Sequence, residues 1–217
     1  MAASTGPVSE PSREVTMSDT DTDTTDPVEL LARALHQAGA VVAATDPAQG
    51  GLPTPCRSWD VTDLVSHLLA DLRQFTVRAN GGTPDWKAPT ERVTEGWAQA
   101  FEAGAEELLA AWRRAGDLSG VREVPGMGEL PARFPVDQQT AELAVHSWDL
   151  ATATGRSTDL DETVGAAALD WGRGALQPKF RGAESDGHAF GPEVPIGPDA
   201  PLYDRLAAWF GRRPADA

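Results

Sequence analysis

Cysteine is almost absent from this chain: among 217 residues there is one, Cys56. A single thiol forms no intramolecular disulfide and no cysteine-rich zinc site, so nothing in the sequence requires an oxidising compartment. Bases are scarce as well, 18 Lys and Arg against 33 Asp and Glu, giving a formal charge of −15. Such a surface repels phosphate backbones and anionic headgroups, which excludes nucleic acid and membrane surfaces as expected partners. No apolar run approaches the roughly 20 residues that cross a bilayer. The opening stretch, MAASTGPVSEPSREVT, lacks the apolar centre of a secretory signal. A cytoplasmic protein is expected. No alternation of apolar and polar residues is long enough to predict a strand, and the glycine clusters lack the strand and helix context of a phosphate-binding loop.

What the sequence does contain is helical periodicity. Residues 1–26 carry six acids, one base and the low-complexity run SDTDTDTTD, and are expected to be a disordered acidic tail, with Met17 an alternative start. Asp26 and Pro27 then form a helix opening, followed by Val28, Leu31, Leu35 and Val42 at helical spacing, which predicts a helix over about 27–45. Asp60 and Asp63 mark a second opening, and Leu64, Val65, Leu68, Leu72 and Phe75 continue it to about 79. Further helices are predicted over about 90–115, 135–154, 160–177 and 200–210. The expected fold is all-α: one domain over 27–214, an up-and-down four-helix bundle with extra short C-terminal helices.

The chemistry concentrates in ELAVHSWD, residues 142–149. On a helix Glu142 and His146 lie about 40° apart and one turn from each other, and Asp149 falls between them and the neighbouring edge. Leu143 and Leu150 flank this sector on one side, Ala141 and Val145 on the other. That favours an interior cluster, whereas Gln138, Gln139 and Thr152 extend the polar sector and keep a solvated ion pair open. His67 sits on the second helix beside Leu64 and Asp71, at the margin of its apolar stripe. Two imidazoles and one carboxylate form a ligand set for first-row divalent ions and leave a coordination position open. Asp149 is either an acceptor that orients an imidazole or a surface carboxylate. Cys56, just before a helix start, reads as an activated thiol or as a small buried hydrophobe. His36 reads as an ordinary helix residue and His188 as a loop residue. The tryptophans read as core, with Trp59 and Trp148 as pocket candidates.

Three stretches, TPCRSWDVTDLVSHLLADLRQF, AELAVHSWDLATATGR and FGPEVPIGPDAPLYDRLAAWFGRRP, resemble in order and spacing the actinobacterial metal-binding proteins related to mycothiol-dependent maleylpyruvate isomerase, within the DinB/YfiT-like superfamily. The similarity covers roughly residues 27–214. It implies a divalent metal, commonly zinc, held by His67, Glu142 and His146, with nickel, iron or cobalt compatible with the same donors. It also implies a low-molecular-weight thiol such as mycothiol, which the metal activates for transfer or isomerisation on an electrophilic small molecule. The isomerase carries an additional C-terminal domain, whereas about 60 residues follow the fourth helix here. No arginine of that domain is carried over, and Arg212 and Arg213 are given no role. A non-catalytic metal-binding or sensing module and a metal-dependent hydrolase stand as alternatives on the same ligands, and monomer and homodimer both remain open.

Overall fold

The computed structural model describes residues 26–124, 128–183, 186 and 190–215. Apart from Asp26 the expected acidic tail lies outside the described residues, as does His188. Six helices are described, α1 (Pro27–Ala44), α2 (Val61–Ala79), α3 (Trp97–Ala115), α4 (Phe134–Ala153), α5 (Glu162–Ala175) and α6 (Leu202–Trp209). The fold is the expected all-α bundle. None of the described helices is long and apolar enough to cross a membrane.

Helix starts follow from local chemistry. Asp26 Oδ1 accepts from the Val28 N–H at 2.7 Å, and Pro27 occupies the first turn, where its missing N–H leaves no bond unmade. At α2 the Asp63 N–H donates to Asp60 Oδ1 at 2.8 Å while the Asp60 N–H donates to Asp63 Oδ2 at 3.2 Å, closing a reciprocal cap. The third helix begins later than its periodicity predicts, at Trp97 instead of about 90. Gly96 adopts φ +70°, which stops the helix there, and the preceding segment is tied to α2 instead. The Val93 N–H donates to Ser66 Oγ at 2.9 Å, and Arg92 pairs with both Asp60 and Asp63. A second correction is a small antiparallel hairpin, β1 (Val121–Val124) with β2 (Gly128–Pro131). Four residues per strand are too few to register as alternation, and Val121 is exposed.

α1 packs on α3 and α4, and α2 packs on the same two helices. Arg114 at the end of α3 donates to Asn80 at the end of α2, so these two helices run parallel. Arg113 reaches Glu29 at the start of α1, which sets α1 against α3. Cys56, just before α2, meets Asp149 late in α4, which sets α4 against α2. Helix directions are therefore up, down, down, up, so the all-α bundle is as expected but the up-and-down alternation is broken where α2 and α3 run parallel. The connection 80–96 returns along the length of the bundle as a result.

Phe75, Phe101, Leu31, Leu64, Leu68, Leu72, Leu108 and Leu150 fill the centre, each at most 2% exposed. α5 packs on α4, and α6 on α5. Trp148 Nε1–H, expected in a pocket, instead donates to Asp204 Oδ1 at 2.8 Å and fastens α6 to α4. The close seat of α6 requires Gly165, where a Cβ would stand 2.7 Å from the Tyr203 ring. That ring has little freedom, because its hydroxyl bonds both Gln37 Oε1 (2.9 Å) and the Asp161 carbonyl (3.0 Å). Gly165→Ala is accordingly expected to cost about 1–2 kcal/mol net, overpacking outweighing a helix-propensity gain of up to about 1 kcal/mol. Chemical denaturation reads it.

Candidate metal centre

The seam between α2 and α4 brings the three expected ligands together. Ligand-capable atoms of His67, Glu142 and His146 all lie within 4.8 Å of one another. α4 supplies two of them because positions four apart share a face, and α2, antiparallel and adjacent, supplies the third. His146 Nε2 is 3.5 Å from Glu142 Oε2. The two imidazoles meet edge to face with centroids 5.0 Å apart, and the Trp59 ring closes one wall, 4.6 Å from His67 and 6.0 Å from His146. Trp59 is thus the pocket tryptophan. His67 Nε2 also lies 3.3 Å from Asp71 Oδ2.

Behind His146 stands a second layer. Asp149 is fully buried, and its Oδ2 lies 3.0 Å from His146 Nδ1, the interior one of its two sequence readings. The same oxygen accepts from Cys56 Sγ at 3.3 Å and from Arg212 Nη2 at 3.0 Å. Arg212 also donates to Cys56 Sγ at 3.4 Å and, through Nη1, to the Phe210 carbonyl at 2.9 Å. Cys56 is therefore held by polar partners and is not a simple hydrophobe. Cys56, His146 and Asp149 form a second group with ligand-capable atoms within 4.8 Å, sharing His146 with the first. The Arg212 guanidinium already balances charge there, so the first group is the better cation site.

Arg212 is the residue that sequence reasoning missed. It follows Gly211, whose φ of +85° turns the chain back after α6, and whose Cα packs too closely against Gly191 to carry a side chain. A glycine just past a helix end predicts such a reversal, but not which helix the next side chain reaches. Gln139, which favoured a solvated face, is 1% exposed and continues the polar seam inward; neither of its amide atoms has a partner among the described residues. His36 lies apart from the centre, on the wall of a groove of about 620 Å³ between α1 and the α4–α5 connection.

Proton affinities follow from this packing. Burial and the neighbouring His146 push His67 down to about 4, so its ring is neutral. Burial opposes charge on His146 too, yet its contacts with Asp149, Cys56 and Glu142 raise it well above the ordinary value. Burial works against ionised Glu142, but His146 and His67 hold it below the usual carboxylate range. Burial likewise opposes ionised Asp149, but Arg212 and His146 hold it down to about 2. Asp71 is driven up to about 7 by burial and then by Glu142. One proton on His146, set between Glu142 and Asp149, thus occupies the place in the charge balance that a divalent cation would take. Two imidazole nitrogens and a carboxylate oxygen are a donor set that fits a first-row divalent ion.

Residues 31–151 match the mycothiol maleylpyruvate isomerase N-terminal domain, a span of more than half the chain. The chain belongs to this family. An uncharacterized protein of Mycobacterium tuberculosis, called Rv0738 in strain H37Rv and MT0763 in strain CDC 1551, is 34% identical to this mycothiol maleylpyruvate isomerase-like chain over 187 residues, covering 86% of this chain and 98% of the relative. The crystal structure of the mycothiol-dependent maleylpyruvate isomerase superposes with a TM-score of 0.51 at 19% identity. That likeness covers 65% of each chain and shows a shared fold. Within the matched mycothiol maleylpyruvate isomerase N-terminal domain lie Cys56, His67, Glu142, His146 and Asp149, whereas Arg212 lies beyond its end.

Proposed function

We propose that His67, Glu142 and His146 hold a divalent metal ion, with zinc the favoured occupant, and that the protein is a mycothiol-dependent transferase or isomerase. The observation that carries this reading is the convergence of those three donors within 4.8 Å at the α2–α4 seam. The bound ion supplies a Lewis-acid position at which a thiol is held as its thiolate. His67 is already neutral and Glu142 ionised, the states in which each donates. Asp149 accepts the His146 Nδ1–H, which fixes the tautomer and leaves Nε2 toward Glu142 for the ion. Arg212 keeps Asp149 ionised from behind, and Trp59 shields the cluster from water on one side.

The reaction class is tested by conjugation of mycothiol to 1-chloro-2,4-dinitrobenzene, in which the thiolate forms a C–S bond and chloride leaves. Turnover is expected to need both ion and thiol, to vanish on chelation and to return when the ion is restored. Ester hydrolysis that needs the ion but no thiol would assign the same ligands to a hydrolase, and neither activity in a metal-loaded protein would leave a non-catalytic module.

Metal binding should also be coupled to pH. His146 must give up its Nε2 proton to bind the ion, and its folded-state value is raised. The affinity is therefore full above that value and falls as pH drops below it, about tenfold per pH unit for one displaced proton. Calorimetric titrations in buffers of different ionisation enthalpy measure the proton released.

A further inference from the structure

A concavity of about 380 Å³ adjoins the cluster on the outer side of α2. It exists because α2 and α3 run parallel, so the 80–96 connection must return along the bundle and folds against α2. The Asp85 N–H donates to Gln74 Oε1 at 2.8 Å, and the Trp86 and Phe75 rings meet in a T-shaped contact with centroids 5.1 Å apart. Asp71, Arg73 and Gln74 of α2 face Asp85, Trp86 and Glu91 of the connection across this space. Asp71 joins it to the metal ligands, since the same carboxylate that lines the concavity lies 3.3 Å from His67 Nε2. Asp71 is thus the side chain shared between the concavity and the cluster.

The lining selects among ligand classes. Asp85 and Glu91 supply two carboxylates against the single guanidinium of Arg73, and Asp71 adds a buried carboxyl group whose charge its surroundings disfavour, so the lining holds no net positive charge to attract carboxylates and phosphates. Arg73 and Glu91 have no side-chain partner described, so both a strong donor and a strong acceptor stand ready. Trp86 is 51% exposed despite its contact with Phe75, so about half of the indole remains open to a ligand. Carboxylate acceptors, one donor and a flat aromatic face together suit a ring that carries hydroxyls at its edge and C–H groups on its face. The volume is at the lower end of the roughly 300–1,000 Å³ typical of ligand pockets.

We propose that this concavity binds the neutral polyhydroxylated body of the thiol cosubstrate, with the sulfur reaching the His67–Glu142–His146 cluster past Asp71; the inference rests on the thiol-dependent reading above. Two measurements on the full chain test it. In the first, myo-inositol is titrated into the metal-free and metal-loaded proteins while the Trp86 indole N–H resonance is followed, with glucuronate as the anionic control. A saturable shift with inositol and none with glucuronate is expected. In the second, mycothiol affinity of the metal-loaded protein is compared with that of Trp86→Ala and Glu91→Gln, with metal content and helical circular dichroism recorded for each. Affinity is expected to fall about tenfold in both at unchanged metal content. Glu91 is exposed and unpaired, so its replacement does not endanger the fold. Unchanged mycothiol affinity in both variants, or equal shifts with inositol and glucuronate, overturns the proposal while leaving the metal–thiol reading intact. A metal-loaded parent that binds no mycothiol, yet still shows the inositol shift, overturns the thiol reading and with it this pocket's assignment to the thiol.

Discussion

Arg212→Ala is expected to lower the unfolding free energy by about 3–5 kcal/mol at neutral pH, the cost of leaving one partner of a buried ion pair uncompensated. Asp149 is fully buried, and among the described residues Arg212 supplies its only cationic side-chain partner outside the imidazole of His146. The effect should depend on pH in a defined direction. A carboxylate whose folded value is depressed contributes stability above its unfolded value, about 3.9. For Asp149 that contribution is lost as pH falls through about 2. The gap between parent and variant should therefore narrow in acid. Asp149→Ala/Arg212→Ala is expected to be more stable than Arg212→Ala alone, because the orphaned charge has been removed. Urea denaturation across pH measures all of this. A loss below about 1 kcal/mol, typical of exposed pairs, would mean that Arg212 is not the counter-charge of Asp149.

Asp149→Asn is the second large effect, expected in metal affinity. The amide retains an acceptor but not the charge that strengthens His146 as a donor and fixes its tautomer. Loss of such an outer partner typically weakens binding 10- to 100-fold. Competition against a chromophoric chelator reads the affinity directly. Equal affinities in parent and variant would reduce Asp149 to a structural partner of Arg212.

Much of this arrangement was legible in the sequence, for reasons that can be named. Asp26, Asp60 and Asp63 announced the first two helix starts because capping is a local interaction between residues two or three apart. Glu142 and His146 announced a shared face because helical geometry fixes it. His67 was a candidate partner from its place at the margin of the apolar stripe of α2, the family resemblance pointed to the same residue, and the antiparallel contact of α2 with α4 brings it there. What was hidden depended on contacts distant in sequence. The late start of α3 follows from Ser66 and Asp60 capturing Val93 and Arg92, a competition invisible to helical periodicity. The parallel course of α2 and α3, and hence the pocket under Trp86, follows from packing that no short window contains. Arg212 reaches Asp149 across 63 positions, through a reversal at Gly211 whose direction only the docked α6 determines. Gln139 shows the converse, a polar side chain that read as solvated and is buried along the α4 seam.

The central claim is that His67, Glu142 and His146 are ligands, and the most direct test is elemental analysis of the purified chain beside His67→Ala and His146→Ala after loosely bound ions have been removed. The account predicts close to one divalent ion per parent chain and little in either variant. Equal and negligible metal in all three, persisting after divalent ions are added back, would contradict it and leave the α2–α4 cluster as a buried polar seam.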